Sequence, residues 1–277
     1  MKNLIITKIG GGEGINYEAI CDDVAELAGA GQPLILVHGG SAATNEVASA
    51  LGHSPRFITS PSGYTSRLTD RRTLEIFEMV YCGRINKDLV ERLQRRKINA
   101  VGLSGIDGGL WSGPRKEAIT AIENGRRRII RDTFTGKVEL VNTQLLQLLL
   151  DNRYMPVLTP PAISSSGEAI NVDGDRAAAA TAVAMNASEL IILSNVPGVL
   201  ADFPDEATLI SHIAGSDLAE VSANLALGRM RIKLLAAAEA LSGGVRRVVL
   251  GDARYERPLS RALRGAGTTI SGEGMVL

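Results

Sequence analysis

The chain has 277 residues, of which 45% are hydrophobic and 22% charged, which is typical of a soluble globular protein with one large domain or two ordinary ones. Its 30 basic and 30 acidic residues cancel, so the overall charge gives no support to binding of nucleic acid or membranes. The first apolar run is too short for a signal peptide, no stretch approaches transmembrane length and the two cysteines lack CxxC spacing, so we expect a cytoplasmic protein.

A buried strand followed by a glycine-rich turn is predicted near the amino terminus, at residues 4–14. The apolar run LIITKI has no polar alternation, which is typical of a parallel strand covered by helices on both faces. Four glycines follow among residues 10–14, and such a turn before a helix presents backbone N–H groups to phosphate. Lys8 interrupts the apolar run, where it either reaches the surface or lies beside a bound phosphate.

A second unit of strand, glycines and helix follows immediately. Asn16 is placed to cap a helix, and residues 34–37 predict another buried strand that leads to Gly39 and Gly40. Two such units predict a parallel sheet with ligand-binding loops at its carboxyl edge. His38, at the end of the second strand, is either a general base or, more commonly at such a position, a structural hydrogen-bonding residue.

Residues 53–68 are rich in proline, serine, threonine and glycine, which predicts irregular structure or a hairpin. Thr69 then stands at the expected N-cap of a long helix. The apolar positions of this helix are Leu74, Phe77, Tyr81, Ile85 and Leu89. Arg67, just ahead of the helix, is either a bidentate clamp for a carboxylate or a solvated charge.

A third strand is predicted at residues 99–103, and the Asn-Gly pair at 124–125 predicts the turn of a hairpin. The turn is followed by an excess of positive charge, with no acidic residue before Asp132. The basic residues are Arg126, Arg127, Arg128 and Arg131. They form either an edge strand protected from aggregation by its charge or a docking surface for an acidic partner.

The second half of the chain continues the alternation of strands and helices. A leucine-rich helix at 145–150 precedes a strand at 155–158, which the proline pair at 160–161 is expected to end. Asp173 and Asp175 then open an alanine-rich helix. One carboxylate suffices to cap that helix, so the second is a candidate for holding lysines or a metal.

Two further strands and a helix complete the pattern. Residues 189–194 predict a strand, and residues 247–250 predict another. Residues 268–270 are expected to form a short edge strand. In the basic helix that begins near residue 228, Ile232 and Leu235 are the expected core positions, and the pattern alone does not distinguish Lys233 from a solvated charge.

Several common nucleotide and catalytic motifs are absent. Gly136-Lys137 is not a Walker loop, residues 10–15 do not complete GxGxxG, and HExxH, GxSxG and zinc-ligand spacings do not occur. Six segments nevertheless resemble, in order and spacing, the amino acid kinase family, most closely its N-acetylglutamate kinase branch. They are ITKIGGG at 6–12, LVHGGS at 36–41, SRLTD at 66–70, INVDGDRAAA at 170–179, LSNVPGVL at 193–200 and GRMRIK at 228–233.

Within that branch, the chain is most similar to kinases that act on α-aminoadipate carried by the small acidic protein LysW. The resemblance lies in GYTSRLTDRRTLEIFEMVYCG, in the arginine-rich hairpin and in LSNVPGVLADFPDEA. It implies an α/β fold, a three-layer αβα sandwich with a mainly parallel central sheet and two lobes. Residues 1–170 would bind the acceptor and join a homodimer through the long helix after Thr69, and residues 171–277 would bind the nucleotide.

The resemblance also implies roles for single residues. Lys8 and Lys233 match the lysines that contact the transferring phosphoryl group, and Asp175 matches the aspartate that orients them. The matched acceptor-binding residues are Gly39, Gly40, Arg67 and Asn171. The matched nucleotide-binding residues are Gly10, Gly11, Ser194 and Asn195, although acetylglutamate kinases usually have aspartate at the last of these positions. No side-chain metal site is implied, because Mg²⁺ arrives with ATP.

These expectations describe an ATP-dependent kinase that makes an acyl phosphate from a side-chain carboxylate. Such a carboxylate is already ionised at pH 7, so no general base is needed. Carrier-linked α-aminoadipate of lysine biosynthesis, carrier-linked glutamate and free N-acetylglutamate of arginine biosynthesis share this group. The arginine-rich hairpin favours a carrier-linked acceptor, with Arg71, Arg72 and Lys87 extending the basic surface if the long helix lies nearby. A catalytically silent amino-acid sensor on the same fold is the alternative from another class.

Overall fold

The computed structural model describes residues 3–61, 63–123, 126–226 and 228–272, so the expected turn at 124–125 lies outside the described residues. The strands are β1 (Ile5–Ile9), β2 (Leu34–His38), β3 (Phe57–Thr59), β4 (Thr65–Arg67), β5 (Ala100–Gly105), β6 (Trp111–Gly113), β7 (Ile119–Glu123), β8 (Arg126–Ile130), β9 (Leu140–Val141), β10 (Met155–Ser164), β11 (Ala169–Ile170), β12 (Glu189–Ser194), β13 (His212–Ala214), β14 (Arg247–Asp252) and β15 (Thr268–Ser271). The helices are α1 (Tyr17–Gly29), α2 (Ser41–Ala50), α3 (Arg71–Glu78), α4 (Asn86–Arg95), α5 (Thr143–Asp151), α6 (Gly174–Ala184), α7 (Leu218–Asn224), α8 (Arg229–Ser242) and α9 (Pro258–Leu263).

The central sheet confirms the predicted α/β fold. Among the described residues its strands have the order β13-β15-β14-β12-β1-β2-β10-β6-β9, and β5 and β11 also pair with β10. Strand β1 is parallel to both of its neighbours, β12 and β2. Helical connections between parallel strands place helices on both faces, and the carboxyl ends of β1, β2 and β12 therefore meet at one edge of the sheet.

Side chains along β1 alternate between two helical layers. Leu4 and Ile6 belong to the core that includes residues of α6 and α8. Ile5 and Ile9 belong to the core that includes residues of α1, α4 and α9. Because successive side chains of a strand point to opposite faces, Lys8 continues the first series. The strand that the sequence predicts as buried thus directs its lysine toward α6 and α8.

The predicted N-cap of α1 is confirmed, and the predicted N-cap of α3 is wrong by one residue. Asn16 caps α1 by accepting a hydrogen bond from the backbone N–H of Ala19 at 3.0 Å. Asp70, not Thr69, caps α3, because its carboxylate accepts from the N–H of Thr73 at 2.7 Å. The hydroxyl of Thr69 instead turns back to the chain before the helix. The long helix itself is confirmed, although a π-helical segment joins α3 to α4.

Strand β10 continues through the proline pair that was expected to end it. It pairs with β5 up to Thr159 and resumes pairing, with β11, at Ala162. The two prolines occupy the interval between these ladders, where no strand N–H is required. Residues 268–270 lie in a strand as expected, but the expected edge position is wrong, because β13 lies outside β15. A strand of three residues with one buried side chain gives too weak a pattern to predict.

The predicted hairpin within residues 53–68 is confirmed by the antiparallel pairing of β3 and β4. These strands form a second sheet of order β4-β3-β7-β8, with the arginine-rich strand at its edge. Cys21 is buried, Cys82 is partly buried, and both are free thiols. Over the part of the chain that the structure describes, no helix has the length and apolar character needed to cross a membrane.

Candidate active site

Two lysines from distant parts of the chain share one carboxylate beside the carboxyl end of β1. Lys8 Nζ lies 2.6 Å from Asp175 Oδ1, and Lys233 Nζ donates to Asp175 Oδ2 at 3.1 Å. All three side chains are only 9% exposed. Two ammonium groups and one carboxylate leave one net positive charge in this bridge. Because a buried charge is costly unless it is paired, the bridge favours binding of an anion.

The two aspartates that open α6 have different roles. The Asp173 carboxylate accepts hydrogen bonds from the backbone N–H groups of Asp175 and Arg176, both at 3.0 Å, and so caps the helix. Asp175 points inward to the lysines. The sequence left open which acid caps and which holds lysines, and the geometry separates the two.

Lys233 lies on the buried face of α8, where the hydrophobic pattern did not place it. Ile232 and Leu235, the expected core positions, are only partly buried, whereas Lys233 and Leu234 are buried. The buried stripe continues as alanines that pack closely against α6. The expected phase of this helix is therefore wrong. A hydrophobic pattern places lysine at the surface, but Lys233 can be buried because the carboxylate of Asp175 pairs with its charge.

The electrostatics of the bridge keep its carboxylate ionised. Burial alone would raise the pKa of Asp175, but attraction to Lys233 and Lys8 holds this pKa below its ordinary value. Burial lowers the pKa of Lys233, and the Asp175 carboxylate opposes this change. Asp175 is thus an anion at neutral pH that orients both ammonium groups.

The two glycine turns touch at the edge of the sheet. A Cβ atom on Gly11 would lie 2.1 Å from the backbone nitrogen of Gly40, so only glycine fits at position 11. The N–H groups of Gly10 and Gly39 donate to the carbonyls of Leu193 and Ile9 at 2.8 and 2.9 Å. Gly10 and Gly39 thus already use their amides within the sheet, and what they offer a ligand is close approach to the main chain.

Arg67 and Asn171 come together through Thr69. The amide of Asn171 donates from Nδ2 to Thr69 Oγ1 at 2.9 Å, and this hydroxyl donates to the backbone carbonyl of Arg67 at 3.3 Å. Thr69 and Asn171 are 102 positions apart, so the sequence could not show their contact. The structure thus places two of the expected acceptor-binding residues side by side.

The guanidinium of Arg67 is held in place but keeps hydrogen-bonding capacity. Its Nη2 donates to Asn45 Oδ1 at 2.5 Å, and its plane lies over the ring of Phe57, 5.2 Å from the centroid. Its Nη1 is buried, with no hydrogen-bond partner among the residues that the structure describes. An unsatisfied charged donor of this kind is costly, and a ligand carboxylate would satisfy it.

His38 is a structural residue. Its Nδ1 lies 3.0 Å from the Gly39 carbonyl and its Nε2 lies 3.1 Å from Asn86 Nδ2, so we assign the proton to Nδ1. The Asn86 amide also donates to the carbonyl of Val157 at 2.9 Å. Burial lowers the pKa of His38 to about 4. His38 pairs in register with Ile9 and so lies on the opposite face of the sheet from Lys8, which favours the structural interpretation over a general base.

Sequence reasoning missed a contribution from Tyr81. It was predicted as a core position of the long helix, and it is buried as predicted. It lies in the π-helical segment Met79–Ile85, with its ring stacked on Phe77 at a centroid distance of 3.8 Å. A Cβ on Gly40 would lie 3.1 Å from this ring, so Tyr81 also forms the floor under the second glycine turn. Only backbone geometry reveals a π-helical segment, and such segments frequently mark functional sites.

Ser194 is the last residue of β12, and Asn195 follows it at the same edge of the sheet. The backbone carbonyl of Ser194 accepts from the N–H of Ala253 at 2.7 Å. The side chain of Asn195 lies against the glycine turn, because a Cβ on Gly12 would be 3.4 Å from its Nδ2. These expected nucleotide-binding residues are therefore next to the turn that follows β1.

The four arginines of the hairpin are exposed but do not share one face. Arg128 lies opposite Ala121, which is buried, whereas Arg127 lies opposite Ile122 on the other side of the strand pair. Successive residues of β8 therefore alternate between two directions. The expected cationic surface is a charged edge strand that can be approached from its open side.

A resident metal site is not evident at this edge. Within the described ranges, no group of three histidine, cysteine, aspartate or glutamate side chains is arranged to hold a metal ion. The site instead offers ammonium groups beside two glycine turns, which suits an anionic ligand that brings its own cation.

The fold and the lysine–aspartate bridge define a class of protein that comparison with known sequences identifies. A model of the amino acid kinase family matches residues 3–252, and the chain belongs to this family. Among curated relatives, the [LysW]-aminoadipate kinase of Deinococcus radiodurans is 60% identical over 97% of this chain and 92% of that protein. The [LysW]-aminoadipate kinase of Thermus thermophilus is 56% identical over 96% of this chain and 100% of that protein.

A solved structure shows the same fold at lower identity. N-acetylglutamate synthase from Neisseria gonorrhoeae, bound to coenzyme A and N-acetylglutamate, is 23% identical and gives a TM-score of 0.79. The match covers 99% of this chain and 60% of the synthase chain, so the present chain spans only part of that protein. The likeness confirms the predicted α/β sandwich with its mainly parallel sheet.

Proposed function

We propose that this chain transfers the γ-phosphoryl group of ATP to the side-chain carboxylate of α-aminoadipate linked through its amino group to a small acidic carrier protein of the LysW type. The product is an acyl phosphate for lysine biosynthesis. The observation that carries the proposal is the buried bridge of Lys8, Asp175 and Lys233 beside two glycine turns. Relatives at 60% and 56% identity, named for the same acceptor, support it.

The bridge suits phosphoryl transfer to a carboxylate. An oxygen of the acceptor carboxylate forms a bond to the γ-phosphorus as the bond to the ADP oxygen breaks. Negative charge then spreads over the equatorial oxygens of the transferring group, and two fixed ammonium groups stabilise it. Asp175 holds both lysines before the substrates arrive, so little reorganisation is needed in the transition state.

ATP and its Mg²⁺ fit the donor set at this edge. The nucleotide would bind along the glycine turn after β1 and the end of β12, with Gly10, Gly11, Ser194 and Asn195. A Mg²⁺ ion bound together with ATP would neutralise part of the phosphate charge. The residues of this chain contribute ammonium groups and close backbone approach.

The acceptor would bind on the opposite side of the bridge. Arg67 and Asn171 would hold the groups on its α-carbon, beside Gly39 and Gly40. Accordingly, residues 1–170 would form the acceptor lobe and residues 171–277 the nucleotide lobe. We further propose a cytoplasmic homodimer joined through the N-terminal lobe and the long helix that Asp70 caps. Light scattering at micromolar concentration tests this assembly, and a monomer would contradict it.

Strand β8 supports a carrier-linked acceptor. A free small molecule makes no use of exposed arginines at a sheet edge, whereas an acidic carrier protein is attracted by them. Arg126, Arg127, Arg128 and Arg131 would therefore guide the carrier. The hairpin β3–β4, which ends in Arg67, belongs to the same small sheet, with β4 and β8 at its two edges. A carrier at β8 would therefore lie three strand spacings, roughly 14 Å, across this sheet from Arg67.

An assay that couples ADP formation to a spectroscopic signal tests the proposal. We compare carrier-linked aminoadipate, carrier-linked glutamate and free N-acetylglutamate at equal concentrations. We expect the highest kcat/KM with carrier-linked aminoadipate. The glutamate adduct should also react, since one methylene changes discrimination by only about 1–3 kcal/mol. Preferred turnover of free N-acetylglutamate would assign the chain to arginine biosynthesis, and ligand binding without ADP formation would indicate a sensor.

A further inference from the structure

A cleft beside the glycine turns contains an arginine that no motif singled out. The cleft has a volume of about 420 Å³ and lies between the turn after β1, the first turns of α2 and the start of α8. Its lining includes Gly12, Ser41, Asn45 and Arg229. Arg229 is the first residue of α8 and is exposed.

Arg229 shares a helix face with Lys233. Residues four positions apart lie one above the other on a helix, about 6 Å apart along the axis. Arg229 therefore lies one helical turn before Lys233, the residue that pairs with Asp175. Its Nη1 donates to Ser41 Oγ at 2.8 Å, and this hydroxyl donates to the carbonyl of Gly11 at 3.1 Å. These bonds fix the guanidinium across the cleft, against the glycine turn.

A second cation, Arg67, donates hydrogen bonds to two residues that line the cleft, Asn45 and Ser41. Ser41 connects the two arginines, because its backbone carbonyl accepts from Arg67 Nη2 at 3.5 Å and its hydroxyl accepts from Arg229. Burial lowers the pKa of Arg67, and the nearby charge of Arg229 lowers it further. The acids on the cleft do not neutralise them. Glu46 pairs with Arg84 at 3.3 Å, and Glu13 is exposed on the glycine turn.

Both guanidinium groups donate to Ser41, so an anion bound beside Ser41 would offset the positive charge of both. Within the described parts of the chain, neither Arg67 nor Arg229 forms a salt bridge, and Arg67 Nη1 is buried without a partner. The phosphoryl group already has the two lysines. Arg67 is joined through Thr69 to Asn171, on the acceptor side. The geometry therefore favours a carboxylate of the acceptor over a phosphate of ATP.

We propose that Arg229 binds the α-carboxylate of the acceptor together with Arg67, and that this pair selects acceptors in which the carboxylate is free. An amino acid attached to a carrier through its amino group retains this carboxylate. The inference rests on the proposed function only in taking the acceptor to be an N-acylated amino acid. Arg229 is thus a substrate-binding residue that binds the α-carboxylate of the acceptor, away from the carboxylate that is phosphorylated.

The test compares two acceptors and three proteins. The acceptors are carrier-linked aminoadipate and its α-carboxamide, which differ only in the charge of the α-group. The proteins are the wild type, Arg229→Gln and the control Arg246→Gln. Arg246 is an exposed arginine before β14, away from the cleft, so its variant has the same change in net charge. Circular dichroism verifies that each variant folds.

We expect Arg229→Gln to raise KM for the carboxylate acceptor by about tenfold or more, as for loss of a hydrogen bond between charged groups. Its kcat and its KM for ATP should change less than about twofold, and Arg246→Gln should match the wild type. The wild type should discriminate against the carboxamide, and this discrimination should fall by about tenfold in Arg229→Gln. Undiminished discrimination, or a higher KM for ATP alone, would overturn the inference, the latter by assigning Arg229 to the nucleotide.

Failure of the proposed function gives a different result. If the wild type prefers free N-acetylglutamate, that compound and its α-amide replace the carrier-linked pair, and the same expectation applies to Arg229. If the wild type phosphorylates no acceptor, calorimetric binding of the two carrier-linked acceptors takes the place of turnover. Arg229→Gln should then still reduce the preference for the carboxylate, and an unchanged preference would contradict the inference.

Discussion

The Lys8–Asp175–Lys233 bridge and strand β8 are both rich in positive charge, but their surroundings differ. In the bridge, the charges are 9% exposed and share a carboxylate at 2.6 and 3.1 Å. On β8, the arginines are exposed and alternate between two directions at a sheet edge. A buried cation stabilises a bound anion at a fixed position, because little solvent screens its charge. An exposed cation instead raises the rate at which an acidic partner binds, and salt screens this attraction.

This difference predicts how each region responds to mutation. Removing a charge from the bridge should affect the chemical step, whatever the ionic strength. Removing charges from β8 should affect the rate at which an acidic partner binds, mostly at low salt. The two regions can therefore be told apart by kcat, by kcat/KM and by the salt dependence of each.

The largest effect is expected for Lys8→Met, which keeps the aliphatic stem of the side chain and removes its ammonium group. Asp175 would remain paired with Lys233, so the fold should persist. We expect kcat to fall by about 10²–10³-fold, the loss typical for one group that stabilises transition-state charge. Steady-state kinetics with a thermal melt measure this. A folded variant with nearly full turnover would contradict the assignment of the bridge as the catalytic centre.

A second prediction concerns stability at acid pH and uses His38, a buried group that stays neutral. Its pKa in the folded protein is about 4, below the value of 6.5 for an exposed histidine. Between these values the unfolded state binds more protons, so stability is complete above pH 6.5 and is lost as the pH falls. From pH 6.5 to pH 5 the loss is about 2 kcal/mol.

Urea unfolding of the wild type, His38→Gln and His212→Gln over that range measures the effect. His212 is exposed, so His212→Gln should retain the slope of the wild type, whereas His38→Gln should flatten it. An equal slope in all three proteins would show that His38 is protonated in the folded state. His38 would then carry a positive charge in the folded protein, as the exposed cations do, and would not be a neutral residue beside the glycine turn.

The third prediction addresses β8. The triple change of Arg126, Arg127 and Arg131 to glutamate should lower kcat/KM for the carrier-linked acceptor by about tenfold or more at low salt. It should leave KM for ATP unchanged and make the reaction nearly independent of salt. The matched control reverses three other exposed arginines, Arg153, Arg246 and Arg264. Equal losses in both triple variants would mean that only net charge matters and that β8 is a solvated edge.

The same contrast explains how much the sequence could predict. Continuous apolar runs at residues 5–9, 34–37 and 189–194 predict parallel strands, because burial on both faces leaves few alternatives. The resemblance of whole segments supplies Lys8, Lys233 and Asp175 as a set. The alternating pattern of β8 can be read from its sequence, but its partner cannot.

Other features depend on contacts that local patterns do not record. The buried face of α8 was predicted wrongly because hydrophobicity favours Ile232 as a core residue, whereas the neighbouring Lys233 is the buried one. Arg229 belongs to the basic start of the same helix, and its bond to Ser41, 188 positions away, places it beside the glycine turns. Long-range pairs such as these are set by topology, so a local pattern gives them no signal.

The smallest effect is expected for Arg72, which the sequence suggested as an extension of the basic surface. Arg72 lies 3.6 Å from Glu75, which also pairs with Arg71 at 3.2 Å. Its side chain is 53% exposed and that of Glu75 is 41% exposed, so solvent screens a charge that is already offset. Exposed pairs of this kind contribute about 0–1 kcal/mol.

Arg72→Gln should therefore leave the melting temperature and KM for the carrier-linked acceptor almost unchanged, with the β8 triple variant assayed beside it as the sensitive reference. A rise in KM comparable to that of the triple variant would instead extend the carrier surface onto α3, because charge paired within one helix would then still contribute to docking.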